Sequence, residues 1–503
     1  MSFCMYLNNT LFCVASVSVV VQWLTKGKEQ ILAMTERMER RSFLKCAALT
    51  GAALAAGGAS ADAKTPVHPT MAGFAAPPME RIRIAFIGIG ERGSAAVRRV
   101  SRIPGCEPEV LCDLRKEAVD SNQKWLEKNC PRKVAKRMYS GYGECWKEAC
   151  DDSGVDVIYV AAPAYLHASI ALYGMNAGKH VFVEVPAART IDDCWNIVET
   201  SERTRRHCMM LENCCYGEEE MLAWNLCHEG LLGSISHAEG AYIHNLTKRH
   251  LENSFRNRGH GKKSYCRGNT YPTHPLGPIC QYLDINHGDR MNTIVSVSSG
   301  GFTWKDYIAE TFGPDDWQSK LELDRGDINT SIIKTARGRT IMLQYDVTTP
   351  RPYSRINLVQ GSRGCFWGYG FPARLYLTKG KPGTESGKDW MSRDEYEKYA
   401  AKYRHPLWRS VGGIAKKVGG HGGMDFIMDL RWTYCLQNGM PLDMDVYDLA
   451  SWSSIVECSR KSDIAGGAPV EIPDFTRGAW KTAKPRKIGD VDLGKMGIDA
   501  KNV

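Results

Sequence analysis

Across its 503 residues the chain has no apolar run long enough to span a bilayer, no C-x-x-C pair among its 18 cysteines, and no internal repeat. The first absence leaves no stable membrane span to expect, because a spanning helix needs ~20 consecutive apolar residues. The second excludes a zinc knuckle, and the adjacent Cys214 and Cys215 are badly placed to bridge each other. No domain-sized basic stretch interleaves with aromatics, which argues against nucleic-acid binding. The formal charge of +9 arises from 65 basic and 56 acidic residues. Part of that excess lies near the N-terminus and between Lys481 and Lys487, and the balance reads as an ordinary solvated surface.

What is present is a globular composition, 43% hydrophobic and 24% charged, with length enough for two or three domains. The N-terminus must be set apart first. Arg40-Arg41-Ser42-Phe43-Leu44-Lys45 precedes a short Gly/Ala-rich apolar stretch, Cys46 to Ala56, and Ala61-Asp62-Ala63 has the small residues of a cleavage site. This pattern predicts a twin-arginine signal peptide within an N-terminal extension covering residues 1–63. A second apolar run, Val14 to Leu24, lies ahead of the arginines, where leaders are polar. Met34 or Met38 would give a leader of ordinary length, so the start at Met1 is expected to be too early. The twin-arginine route exports proteins already folded in a reducing cytoplasm. Scattered cysteines then read as small buried hydrophobes, and no disulfide framework is expected.

Residues 64–79, with four prolines, read as a linker. From residue 80 strands and helices alternate for about 130 residues. Strands are expected at Ile82 to Gly88, Pro108 to Cys112, Val155 to Ala161, Val181 to Val183 and Met209 to Leu211. Helices are expected at Ser94 to Arg102, Lys116 to Lys128, His167 to Ala177 and Ile191 to Arg203. This is the pattern of a doubly wound parallel sheet, residues 80–213. Residues 214–503 read as an α+β domain with a large open, mostly antiparallel sheet. Its strands are predicted at Ile235 to Ile243, Thr293 to Ser298, Thr330 to Thr335, Thr340 to Val347 and Ser354 to Val359, with helices at 424–437 and Val446 to Lys461. Residues 246–280 carry little periodicity and read as a long functional loop.

Gly88-Ile89-Gly90-Glu91-Arg92-Gly93 leaves the first strand and opens the first helix, and Asp113 follows about 20 residues on. Gly88 permits the tight turn, Gly90 lets the backbone approach a pyrophosphate, and Gly93 allows close helix–strand packing. The helix N-terminus offers free N–H groups to the phosphates. Asp113 can accept from a ribose 2′-OH, which favours NAD; Arg115 nearby keeps NADP as the alternative. Asp284 and His287, expected on one helix, are two ligands only, too few for a metal centre. His421, among Gly419, Gly420, Gly422 and Gly423, sits on a loop able to approach the site.

Several later segments resemble the Gfo/Idh/MocA oxidoreductases: Ala162-Pro163-Ala164-Tyr165-Leu166-His167 and Ala177-Gly178-Lys179-His180-Val181-Phe182-Val183-Glu184. Glu184-Val185-Pro186, Gly240-Ala241-Tyr242-Ile243-His244, Tyr271-Pro272-Thr273-His274-Pro275-Leu276-Gly277-Pro278, Gly326 to Ser331 and Pro350-Arg351-Pro352-Tyr353-Ser354-Arg355 resemble glycosyl hydrolase family 109, the NAD-dependent α-N-acetylgalactosaminidases. The resemblance implies cofactor contacts from Glu91, Arg92, Asp113, Ala164, Tyr165, Leu166, His167, Glu184, Val185 and Asn213. It implies sugar contacts from Tyr242, Arg256 (with Arg258 the alternative), Tyr271, Pro272, Thr273, His274 and Tyr353. Pro275 departs from the family's glycine. Val185 stands where dehydrogenases of the superfamily carry a proton-relaying lysine, so Tyr271 and His274 are the expected proton carriers.

The mechanism implied is redox-neutral: tightly bound NAD oxidises C3 of the sugar, and the C2 proton becomes acidic. The anomeric group is then eliminated, water adds, and the cofactor returns its electrons to C3. The implied substrate is a small carbohydrate or glycan, the compartment periplasmic or otherwise extracytoplasmic, and the exposed sheet face one that pairs subunits into a homo-oligomer. Two other readings compete: an exported sugar or inositol dehydrogenase releasing NADH, and a non-catalytic exported binding protein.

Overall fold

The computed structural model describes residues 4–7, 10–13, 68–249, 267–320, 324–369, 372–382 and 387–498. Cys4–Leu7 and Thr10–Cys13 pair as an antiparallel hairpin inside a separate unit, Met1–Ala63. The twin-arginine segment, Arg256 and Arg258 lie outside the described residues.

In the second unit, Lys64–Val503, a six-stranded sheet is built from β1 (Ile82–Ile87), β2 (Cys106–Asp113), β3 (Arg137–Ser140), β4 (Val157–Val160), β5 (His180–Val183) and β6 (Cys208–Met210). Its order is β3-β2-β1-β4-β5-β6 and every pairing is parallel. The order reverses between β1 and β4, the place where doubly wound folds open a ligand crevice. β4 and β5 are buried at every position, as a strand covered on both faces must be. The helices between strands are α1 (Glu91–Val100), α2 (Lys116–Asn129), α3 (Cys145–Asp151), α4 (His167–Asn176) and α5 (Ile191–Thr204). Gly178, at φ +79°, ends the α4 segment, and Thr190 caps α5 by accepting from Asp193 N–H. β3 and α3 were not expected; β3 is a half-exposed edge strand with little apolar signal.

Beyond α6 (Glu218–His228) lies an eight-stranded sheet: β7 (Ile235–Ile243), β8 (Met291–Ser298), β9 (Ile328–Thr335), β10 (Thr340–Asp346), β11 (Leu358–Gly361), β12 (Gly364–Trp367), β13 (Arg374–Leu377) and β14 (Val470–Glu471). Its order is β13-β12-β11-β7-β10-β9-β8-β14, antiparallel except for the parallel pair β7 and β10. The strand expected from Ser354 begins only at Leu358; Ser354 itself makes an isolated bridge to Ile243. One face packs on α7 (Thr273–Tyr282) and on α12 (Val446–Ile464), which is held at its start by an Asp445–Asp448 capping box. The other face leaves Val295, Val297 and Ile332 exposed. α8 (Phe302–Thr311), α9 (Arg393–Tyr403), α10 (Pro406–Val418) and α11 (Met424–Asn438) complete the domain.

Two expectations need correction. The stretch 246–280 is not one loop, because its C-terminal part forms α7. Pro272 supplies the N-cap and Pro275 stands in the first turn, where a missing N–H costs no helix bond. Residues 68–79 do not hang free as a linker: Met71 N–H donates to Tyr447 Oη and Met79 N–H to Leu436 O, and the Arg205 guanidinium lies 4.3 Å over the Phe74 ring.

Candidate active site

The glycine turn has the shape a dinucleotide requires. Gly88 sits at φ +82°, and a Cβ there would overlap the backbone of Ala162 at the end of β4. A Cβ on Gly93 would strike the Gly88 carbonyl. On Gly90 it would meet only the tip of Arg115, 2.9 Å away, so that side of the turn is open to an approaching phosphate. Gly90 caps α1 without any side-chain hydrogen bond, leaving the first N–H groups of the helix for an anion. Asp113 closes β2 beside this turn and is nearly buried. Its Oδ1 accepts from Arg115 N (2.9 Å) and Nε (3.2 Å). These residues fit an NAD adenosine and pyrophosphate.

From the carboxyl ends of β4, β5 and β6 a cavity of about 470 Å³ opens toward β7 and α7. Of the sequence-predicted cofactor residues, Glu91, Arg92, Ala164, His167, Glu184, Val185 and Asn213 line it; of the sugar residues, Tyr242, Tyr271 and His274 do. Tyr165 and Leu166 do not line it, and Tyr165 is exposed. Nor do Pro272 and Thr273, which build the first turn of α7 beneath His274. Tyr353 stands off the cavity, its ring 5.0 Å from His244, which in turn lies 6.0 Å from Tyr242.

His274 Nδ1 lies 2.6 Å from Glu212 Oε1. Glu212, fully buried just past β6, also accepts from Cys214 N–H at 3.1 Å. Burial alone would raise its pKa. The adjoining imidazole and the hydrogen bonds it receives outweigh that and hold the carboxyl below its ordinary value. With Nδ1 engaged, Nε2 is the ring nitrogen left to the cavity. Tyr271 stands edge-on to His274 at 5.0 Å and Tyr242 lies 5.6 Å from it. Burial pushes both phenol pKa values up, so both stay protonated donors. Val185, joined to Pro186 by a cis peptide, brings no ionisable group to the cofactor side.

Behind the cavity, Asp425 at the start of α11 accepts from Arg92 Nη1 (2.7 Å), Asn213 Nδ2 (2.5 Å) and His421 Nδ1 (3.0 Å). Burial opposes its charge, but His421, Arg92 and Arg99 hold its pKa well below the carboxylate range. Arg92 also donates to Glu184 Oε1 at 2.6 Å. The glycine-flanked His421 therefore does reach the site, as one wall of this cluster. His167 is a staple between loops: its ring nitrogens face Pro186 O (2.9 Å) and Ala162 O (2.7 Å), and burial lowers its pKa.

Neither Glu212 nor Asp425 was singled out from sequence. Glu212 had a usable signal, since it ends a predicted strand at the ligand-binding edge of the sheet. Asp425 had none, lying 333 residues from the arginine it holds. Glu212, Cys214 and His274 bring ligand atoms within 4.8 Å of one another, but Arg355 Nη1 lies 2.7 Å from Cys214 Sγ, a fixed cation where a metal would need a thiolate. Asp284 and His287 do not share a helix. They follow the end of α7, Asp284 at φ +50°, and face His228 and Lys484 O respectively.

The chain is similar to known proteins in sequence and in fold. Residues 82–212 match the family described as oxidoreductase family, NAD-binding Rossmann fold, and residues 216–482 match glycosyl hydrolase 109, C-terminal domain. A glycosyl hydrolase family 109 protein of Shewanella pealeana is 42% identical over 463 residues, covering 90% of this chain and 99% of its own. A Phocaeicola vulgatus member is 42% identical over 421 residues, covering 82% and 99%. A Shewanella oneidensis protein named alpha-N-acetylgalactosaminidase is 42% identical over 463 residues, covering 90% and 99%. In fold, the chain is similar to levoglucosan dehydrogenase in complex with NADH and levoglucosan, at TM-score 0.58 and 18% identity over 78% of this chain and 100% of that one. Myo-inositol 2-dehydrogenase of Lactobacillus plantarum aligns at TM-score 0.53 and 17% identity over the same shares. With both domains matched and the family's length covered almost end to end, the chain belongs to glycosyl hydrolase family 109.

Proposed function

We propose that this protein hydrolyses α-N-acetylgalactosaminides with an NAD that stays bound and is recycled in every turnover. The observation that carries this reading is the Glu212–His274 pair facing a cofactor crevice in which position 185 is valine. When bound, NAD supplies the reversible oxidation of one sugar carbon. The rest falls to the chain's own groups. His274 Nε2 takes the proton from the carbon beside the oxidised one, exchanges it with water, and delivers a proton there when water adds, while Glu212 fixes the ring and balances the charge it gains. Tyr271, held protonated, donates to a sugar oxygen, and Tyr242 supplies an aromatic wall. Tyr353 orients the sugar from the rim, with Arg355 Nε 2.7 Å from its hydroxyl. Arg256 is assigned a sugar contact on the family resemblance alone.

Purified protein given an aryl α-N-acetylgalactosaminide, without added NAD, should release the aryl alcohol with no net NADH. Steady NADH formation would favour the dehydrogenase reading instead. The His274→Ala variant should keep its NAD and lose turnover, and an active variant would remove His274 from the mechanism.

The same proposal includes export. The Arg40–Arg41 pair and the free thiols of every described body cysteine support the twin-arginine route and a periplasmic or extracytoplasmic location. Replacing both arginines by lysine should retain the precursor in the cytoplasm. Exposed Val295, Val297 and Ile332 support pairing of two copies through the open sheet face. A Val297→Lys variant that kept the parent's mass in solution would contradict that pairing. Among the described residues, no helix is long and apolar enough to cross a membrane.

A further inference from the structure

A second cavity, of about 520 Å³, lies beside the start of α8. Arg325 stands in its wall, 7% exposed, with Nη1 and Nη2 both buried and without hydrogen-bond partners. Its guanidinium carbon lies 5.4 Å from the Trp304 ring and 5.1 Å from the Tyr345 ring. Aromatic faces hold the cation in place yet leave its N–H groups unsatisfied, an arrangement that calls for an acceptor. The neighbouring acids are committed elsewhere: Asp324 accepts from Arg267 Nε at 2.7 Å, and Asp327 Oδ2 accepts the N–H groups of Phe302 and Thr303. Lys305 adds positive charge, the Arg267 charge being met by Asp324, and no carboxylate lines the cavity among the described residues. The wall is close-packed backbone: a Cβ on Gly301 would meet the Arg325 carbonyl at 2.7 Å, and one on Gly326 would strike the Ser299 carbonyl.

Tyr345 lies between Arg325 and the active-site residue Tyr242. It pairs with Tyr242 in register across β10 and β7, and the two rings stack at 6.4 Å. One tyrosine thus stands between the guanidinium and a wall of the sugar crevice.

We infer that Arg325, with Lys305, binds an anionic sugar, one carrying a carboxylate or a sulfate ester, at the position adjoining the cleaved residue. The placement on a glycan rests on the glycosidase reading; the anion site does not, because it is read by binding alone. Calorimetric titration of the full-length protein with galactose 6-sulfate, glucuronate and neutral galactose is the test. At least one acid should bind, galactose should not compete for its site, and rising salt should weaken the interaction. The acid that binds identifies the source of the charge. Arg325→Gln should weaken it at least tenfold and Lys305→Gln by a few fold, and the exposed Lys305 keeps the test valid should the buried substitution fail to fold. Equal affinity for galactose and both acids, or undiminished acid binding in a folded Arg325→Gln or in Lys305→Gln, would overturn the assignment.

Discussion

Glu212 Oε1 stands 2.6 Å from His274 Nδ1, a buried carboxylate gripping the inner nitrogen of the histidine that faces the sugar crevice. The pair joins the two domains: Glu212 follows the last strand of the cofactor sheet and His274 lies in the first turn of α7.

Glu212→Gln preserves the shape of the contact and removes its charge. Turnover should fall by about 10²-fold, at the lower end of the contribution general acid–base catalysis makes. KM should change little and bound NAD should remain, because Glu212 acts on the sugar side. Steady-state kinetics with absorbance measurement of retained cofactor decides this, and a parallel loss of NAD would assign Glu212 a structural role.

Asp425 holds Arg92, Asn213 and His421 together against the cofactor side of the cavity. Asp425→Ala should lower stability by about 3 kcal/mol. That is the low end for breaking a buried pair, since Arg92 keeps Glu184 and Arg99 keeps Asp429. It should also strip NAD from the purified protein. Thermal denaturation and cofactor content are the two readings, and a variant unchanged in both would show that the cluster does not organise the site.

Two glycines in one turn should respond differently. Gly88→Ala places a methyl group against the Ala162 backbone at φ +82°, so it should cost more than about 1 kcal/mol and abolish NAD binding. Gly90→Ala meets only the movable end of Arg115 and should fold normally while binding NAD more weakly. Calorimetric titration with NAD, beside each melting curve, separates the two effects.

Acid stability follows from His180 and His207, whose rings lie 5.1 Å apart, with His207 N–H donating to His180 Nδ1. Burial drives their pKa values down to about 4 and about 3. Both folded values lie below the unfolded 6.5, so the stability they confer is complete above pH 6.5. It is lost as pH falls through the interval below, because the unfolded chain takes up protons first. By pH 4.5 His207 alone should account for about 2.5 kcal/mol. A His207→Phe variant should lose that much less between pH 7 and pH 4.5 in chemical denaturation, and an identical loss would refute the assignment.

The parts legible in the sequence were those set by local chemistry. The glycine turn, Asp113 and the apolar runs of β1, β4 and β5 report backbone sterics and two-sided burial, so the cofactor domain could be read directly. His274 and Tyr271 were legible only through resemblance. Proline-rich α7 conceals its helical period: Pro275 stands in the first turn, where no helix N–H is needed, and Pro278 lies inside the helix, where proline argues against one. Asp425 and Arg325 draw their meaning from contacts made across the fold, and nothing in their sequence neighbourhood announces a buried cluster or an unpaired guanidinium.

The central claim is that His274, held by Glu212, exchanges the proton beside a transiently oxidised sugar carbon. Hydrolysis of an aryl α-N-acetylgalactosaminide in D₂O, followed by NMR of the released sugar, tests it most directly. The account predicts deuterium at C2 of every product molecule with no accumulation of NADH, and a product that keeps its original C2 proton would contradict it.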